Sequence, residues 1–342
     1  MDKKSIPEQL FLDRLAELHK QGTVPDKYHK IILQFYHCLK TAIEQVDHPI
    51  ESIIPTFLLF LELVREQIEH PHNFEAYHQK IRHPIDYYEF SLDFIRPLIN
   101  FPQSTIQGKE QLDKIEAQIA NKENVIFLAN HQTESDPQAI AILLEKEHPR
   151  LAESIIYVAG ERVVTDPIAI PFSMGCDLLC VYSKRYIDDP PEEKLEKQLH
   201  NKNTMELMSR LLQEGGKAIY VAPSGGRDRK NAQGVIEVAP FDPQSIEMFY
   251  LMAKKSKTPT HFYPLSLSTY NLLPPPETIQ KELGETRSAK YSPIHLFFAP
   301  EFDMEHFSGL QEKDKMKRRE IRAYAIWNLV RQNYSLLKHL GI

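Results

Sequence analysis

Ten residues, LANHQTESDP at 128–137, place His131 five positions before Asp136. An imidazole and a carboxylate so spaced can form a proton-transfer pair: the carboxylate holds one ring nitrogen and fixes the tautomer, and the other nitrogen takes a proton from a hydroxyl nucleophile. The same aspartate, beside Pro137 at the start of a helical stretch, could instead cap that helix. With 15 histidines in the chain, such a match is expected about once by chance, so the spacing alone leaves both readings open.

A reason for a hydroxyl compound to approach His131 lies in APSGGRDRKN at 222–231. Two glycines permit a tight turn and close approach of the backbone to a ligand, and Arg227 and Arg229 carry planar guanidinium forks that match phosphate oxygens. Lys184 and Arg185, in YSKRY at 182–186, could meet the same anion. Each cation taken singly reads equally as solvated surface charge. Three motifs at equivalent strand ends favour an anion cradle.

Each motif follows a short β-favouring run. NVIFLA (124–129), SIIYVA (154–159), DLLCVY (177–182), KAIYVA (217–222), HFYPLSL (261–267) and IHLFFA (294–299) are separated by amphipathic stretches at about 137–147, 192–213, 243–256 and 311–337. This alternation predicts an α/β fold, with a mixed, mainly parallel sheet covered by helices and its site at the strand carboxyl ends. The first hundred residues differ. No glycine occurs between Gly22 and Gly108, and apolar residues recur at helical spacing, as in Phe11, Leu15 and Leu18 or Ile32, Phe35 and Leu39, which predicts a small helical bundle. Ser5 with Glu8 and Pro7 has the form of a capping box, and the His-Pro pairs at 48–49 and 70–71 supply breaks. The expected organisation is a helical bundle domain over 1–80 and an α/β domain carrying the site over 81–342.

Bulk properties narrow the classes. Of 342 residues 42% are hydrophobic and 26% charged, an ordinary globular composition, and the formal net charge of −6 supplies no global basic field for nucleic acid or an anionic membrane. Any anion site must be local. No apolar run reaches the roughly 18 to 20 residues that span a bilayer; IIPTFLLFLELV at 53–64 is short, carries Glu62 and reads as a buried helix. The start, MDKKSIPEQL, lacks a signal core and transit-peptide character, so the expected location is cytoplasmic. Cys38, Cys176 and Cys180 read as packed thiols rather than a zinc set, and no metal is expected. KDKMKRREIR at 313–322 reads as a helix with Met316, Ile321, Tyr324 and Trp327 as its apolar stripe, and LLPPPET at 272–278 as a rigid loop without chemistry.

NHQTESDP, AGERVVTDPIAIPFSMG at 159–175, VYSK at 181–184, APSGGRDR at 222–229 and FYPLSL at 262–267 together resemble, in content and order, the soluble glycerol-3-phosphate 1-acyltransferases of plant plastids and their chlamydial counterparts. The resemblance is strongest over residues 75–300, and the N-terminal part is similar to that family's small helical domain. It implies acyl transfer from acyl-acyl carrier protein or acyl-CoA to the sn-1 hydroxyl of glycerol 3-phosphate, giving lysophosphatidate, the first step of phospholipid synthesis. It further implies His131 as general base, Asp136 as its partner, and Lys184, Arg185, Arg227 and Arg229 as the phosphate pocket. No cofactor is implied beyond the acyl co-substrate. One departure stands out: after the serine the plastid pattern reads Lys-Lys-His, where this chain has Lys184, Arg185 and Tyr186. The lack of a transit peptide favours a bacterial member; a processed organelle form would lie in the plastid stroma.

The implied partners are glycerol 3-phosphate and acyl carrier protein, with no nucleic acid and at most peripheral membrane contact. Carrier proteins are acidic, so Lys254, Lys255 and Lys257, or Lys313, Lys315, Lys317, Arg318 and Arg319, are candidate docking clusters. A lysophosphatidate acyltransferase would share the chemistry but take a bilayer-resident acceptor. A non-enzymatic lipid-carrier or anion-binding module would need neither His131 nor Asp136.

Overall fold

The computed structural model describes residues 6–46, 49–183, 187–276, 283–308 and 311–338. Three helices come first: α1 (Ile6–Lys20), α2 (Asp26–Glu44) and α3 (Ile54–Glu69). Their apolar positions recur every three to four residues, which puts Phe11, Leu15, Ile32, Phe35, Phe57 and Leu61 on inward faces, all buried. Glu8 is buried too, and its carboxylate accepts from Lys40 Nζ of α2 at 2.7 Å. Ser5, its expected capping partner, lies outside the described residues.

A short strand β1 (Tyr77–His78) leads to α4 (Tyr87–Ile95), β2 (Thr105–Gln107), α5 (Lys109–Ala120), β3 (Asn124–Ala129), α6 (Asp136–Leu144), α7 (Pro149–Ser154), β4 (Ile155–Gly160), α8 (Glu161–Thr165), α9 (Ile170–Ser173) and β5 (Asp177–Val181). Then come α10 (Lys194–Glu214), β6 (Ala218–Val221), a ribbon of β7 (Arg229–Lys230) and β8 (Ile236–Glu237), α11 (Pro243–Ser256), β9 (Thr260–Ser268), β10 (His295–Phe298) and α12 (Lys315–Lys338).

All but the ribbon join one eight-stranded sheet in the order β1-β5-β4-β6-β3-β9-β10-β2. The five strands from β5 to β9 run parallel, β1 and β10 are antiparallel to their inner neighbours, and β2 pairs parallel with β10. The fold is therefore α/β, mixed and mainly parallel, as the alternating runs predict. With β6 on one side and β9 on the other, β3 carries its carboxyl end, and hence His131, into the middle of the strand-end surface.

Side-chain alternation along β3 divides the core into two layers. Val125 and Phe127 join a cluster with α1 to α4 and α6, and Ile126 and Leu128 join one with α10, α11 and α12. The first cluster extends across residue 80: Phe57 and Phe60 of α3 meet Phe94 of α4 and Phe172 of α9, with centroids 5.4 Å apart for Phe57–Phe94 and 5.8 Å for Phe60–Phe172. Burial of each such ring contributes about 1.5–3 kcal/mol.

The expected stripe on α12 is wrong at Met316 and Tyr324, whereas Trp327 packs against the core as expected. Met316 and Tyr324 are 63% and 59% exposed, and the buried apolar positions are Ala323, Ile326, Val330, Tyr334 and Leu337. Two polar contacts set the helix rotation: Ser266 Oγ of β9 donates to Val330 O at 3.0 Å, and Trp327 Nε1 donates to Val238 O at 3.1 Å. Cys176 and Cys180 are buried as expected, and burial pushes both thiols up to about 12. Among the described residues no helix is long and apolar enough to cross a membrane.

Candidate active site

The loop between β3 and α6 is fastened by the neighbours of His131. Asn130 Oδ1 accepts from Leu267 N at 2.7 Å and its Nδ2 donates to Leu267 O at 3.0 Å, so a side chain continues the β3·β9 ladder for one more step. Gln132 Oε1 accepts from Thr269 N at 2.7 Å and Tyr270 N at 2.9 Å. Both amides also donate to Asp228 Oδ2, at 2.8 Å from Asn130 and 3.1 Å from Gln132. Asn130 and Gln132 are fully buried, while the His131 side chain between them is 29% exposed. The loop is rigid because its flanking amides are satisfied, and the imidazole is what it presents.

Asp136 is 1% exposed and accepts His131 Nδ1 at 2.8 Å on Oδ2. Gln132 N reaches the same oxygen at 2.8 Å, and Thr269 Oγ1 and Thr133 N reach Oδ1 at 2.6 and 3.3 Å. The carboxylate thus turns back onto the loop that precedes α6, and both backbone amides it accepts belong to that loop. A carboxylate acceptor requires the proton on Nδ1, which leaves the Nε2 lone pair available. Among the described residues Nε2 has no recorded partner.

The turn after β6 supplies the cations. Gly225 holds φ +64°, a conformation that side chains resist and glycine does not. Beyond it, Arg227 Nη2 donates to both oxygens of buried Glu285, at 2.9 and 2.6 Å, and Arg229 Nη1 donates to Pro276 O. Burial, and next the charge of Arg227, lower the Arg229 pKa. Between the two arginines the Asp228 N–H donates to His131 O at 2.6 Å, which ties this turn to the histidine loop. The structure therefore brings four of the six expected residues into one region, namely His131, Asp136, Arg227 and Arg229. Lys184 and Arg185 lie outside the described residues.

Several residues of this region carried no signal at the sequence level. Arg287 is buried and bonded to Glu134 of the histidine loop and to Asp166, with Nη2 distances of 3.0 and 3.1 Å. LLPPPET, read as a loop without chemistry, contributes the carbonyl that holds Arg229. Among the described residues one group of metal-type donors comes together, Asp113, Glu116 and His148; none of them belongs to the His131 region.

Asp228 is the third unread member, and it makes stability depend on pH. Burial raises its carboxyl from 3.8 to about 6, against the opposing pull of Asn130, the Ala239 N–H, Gln132 and the His131 charge. The folded state then holds this proton more tightly than the unfolded chain, so the Asp228 contribution is fully present below about pH 4 and is lost as pH rises to about 6. Two units correspond to about 3 kcal/mol as an upper scale. Urea unfolding of the wild type and Asp228→Asn across pH 4 to 7 checks this. The wild type should lose stability relative to the variant up to pH 6 and hold level above it, whereas parallel profiles would refute the assignment.

The chain is similar to known acyltransferases. A family model described as Acyltransferase matches residues 103–268, which takes in β3, the histidine loop, the arginine turn and β9. The chain is 35% identical over 320 residues to the chloroplastic glycerol-3-phosphate acyltransferase of Spinacia oleracea, covering 93% of this chain and 68% of the relative. It is 34% identical over 333 residues to the Arabidopsis thaliana protein of the same name, covering 96% and 72%, and 35% identical over 334 residues to that of Pisum sativum, covering 97% and 73%.

Proposed function

The chain belongs to the family of chloroplast glycerol-3-phosphate acyltransferases, and on that premise we propose that His131 and Asp136 catalyse acylation of glycerol 3-phosphate held by Arg227 and Arg229. The chain is an acyltransferase and its acceptor is glycerol 3-phosphate. The observation that carries the assignment of residues is the hydrogen bond from Asp228 N to His131 O, 2.6 Å, which links the backbone of the base to a turn with an arginine on each side of Asp228. Seating the phosphate on those arginines brings the glycerol hydroxyls toward the imidazole. Positioning of this kind can be worth on the order of 7 to 11 kcal/mol.

In the proposed step the sn-1 hydroxyl attacks the thioester carbonyl as Nε2 of His131 takes its proton. The imidazolium so formed faces the Asp136 carboxylate, whose other donors keep it in place. Collapse of the tetrahedral intermediate breaks the C–S bond, and the imidazolium returns the proton to the departing thiolate. The products are lysophosphatidate and the free thiol of the donor. Lys184 and Arg185 complete the phosphate pocket in this reading. No cofactor enters these steps.

The proposed donor is acyl-acyl carrier protein, with acyl-CoA as the alternative thioester. Of the two basic clusters considered for carrier docking, Lys254 lies in the last turn of α11, and Arg319, in the second turn of α12, pairs with Glu247 of α11 at 3.2 Å. Arg319 precedes Tyr334 by fifteen residues, about 22 Å along the helix, and Tyr334 packs near Gln132 and Asp228. A donor docked at Arg319 must span that length of helix to reach the site. A water-soluble acceptor and the chloroplastic relatives support an aqueous site of action, the plastid stroma or a bacterial cytoplasm.

Purified protein with acyl-acyl carrier protein or acyl-CoA and glycerol 3-phosphate should form lysophosphatidate. Arg227→Ala and Arg229→Ala should each raise the KM for glycerol 3-phosphate roughly 10- to 100-fold, the scale of a lost charge-assisted hydrogen bond, with the donor KM little changed. An unchanged acceptor KM in both folded variants would remove these arginines from the site.

A further inference from the structure

Arg162 stands just past the carboxyl end of β4, on α8, and the reaction described so far makes no use of it. Its Nη1 donates to Glu285 Oε1, the oxygen that also accepts from Arg227 Nη2 at 2.9 Å. One buried carboxylate, its side chain 9% exposed, is thus shared by guanidinium groups from two different strand ends.

The donor atoms involved show what remains for a ligand. The bonds recorded for Arg227 all leave from Nη2, and those for Arg162 and Arg229 leave from Nη1. Among the described residues the other guanidinium nitrogens have no recorded acceptor. The side chains of Arg162 and Arg227 retain 32% and 15% exposure, so both groups keep access to solvent. Three guanidinium groups against one carboxylate leave two positive charges in excess, the complement of a phosphate monoester dianion. The pKa of Arg229 falls through burial, then through Arg227, and Arg162 acts in the same sense, as expected for cations that crowd one anion seat.

We propose that Arg162 is a third guanidinium of the acceptor-phosphate pocket and that Glu285 is its positioning residue, bridging Arg162 to Arg227 so that their unused N–H edges face the same phosphate. The proposal rests on the reading of the acceptor as glycerol 3-phosphate. Glu285 holds the two flexible side chains in place before the ligand arrives, which reduces the ordering that binding requires. It also lowers the repulsion between them.

The test is steady-state acyl transfer over a range of glycerol 3-phosphate, with inorganic phosphate as a competitive probe. Arg162→Ala should raise both the acceptor KM and the phosphate Ki roughly 10- to 100-fold, with kcat and donor KM little changed. Arg162→Lys keeps the charge but loses the fork; it should raise both constants less, and it serves if the alanine variant does not fold. Glu285→Gln should raise them as well, because an amide cannot bridge two cations. Wild-type constants in a folded Arg162 variant would overturn the pocket assignment. A fall in KM for Glu285→Gln would mean that this carboxylate competes with the phosphate, and would overturn its positioning role. Failure of the underlying reading shows separately, as a wild-type enzyme that forms no lysophosphatidate.

Discussion

His131→Ala should lower kcat roughly 100- to 10,000-fold while the protein stays folded, the range expected for loss of a general base. The two halves of that expectation rest on different observations. The loop keeps its shape without the imidazole, because Asn130 and Gln132 are fastened independently to Leu267, Thr269, Tyr270 and Asp228. The chemistry does not survive, because among the described residues His131 is the titratable side chain that both bonds Asp136 and is tied through its backbone to the arginine turn. The acceptor KM should stay near its wild-type value, since the base is needed in the transition state more than in the bound ground state. Folding is checked by circular dichroism and activity by single-turnover kinetics. A folded variant with near-normal turnover would return His131 to the role of a loop residue.

Asp136→Asn should be nearly as damaging, roughly 1,000- to 10,000-fold in kcat, by the logic of the carboxylate in serine-protease triads. Oδ2 accepts from His131 Nδ1 and Gln132 N, and Oδ1 accepts from Thr133 N and Thr269 Oγ1. Four donors converge on two oxygens, so an amide cannot replace the carboxylate without turning an NH2 toward donors. If the NH2 faces Nδ1, the ring must present its lone pair there and carry its proton on Nε2, which is the wrong tautomer for a base. If it faces Thr269 and Thr133, the hydroxyl can turn to accept, but the Thr133 N–H cannot, so a buried donor pair clashes and the loop shifts. Retention of full activity would leave Asp136 with only a structural part at the start of α6.

The six apolar runs read from the sequence all became strands, because each is long enough to be buried on both faces of a mainly parallel sheet and so stands out as unbroken hydrophobicity. β1 and β2 have two and three residues and lie at the sheet edges, too short for any periodicity. The arginine turn was legible through its glycines and cations. What holds those cations was not: Glu285 lies 58 residues from Arg227, and Arg287 lies 153 from Glu134. No local pattern announces a partner so distant. The α12 stripe failed at Met316 and Tyr324 for a related reason, since contacts with Ser266 and Val238 decide which face turns inward. Spacing alone left Asp136 between cap and catalytic partner and the family resemblance implied the second; the structure adds that its carboxylate accepts from His131 Nδ1 and from two amides of the loop.

The dyad is tested most directly by a double-mutant cycle in kcat for glycerol 3-phosphate acylation, comparing wild type, His131→Ala, Asp136→Asn and the double variant. If Asp136 acts through His131, removing both should cost no more than the worse of the two single losses, because a partner has nothing to orient once the base is gone. Losses that multiply in the double variant would mean that the two residues act independently, and would contradict a catalytic pair.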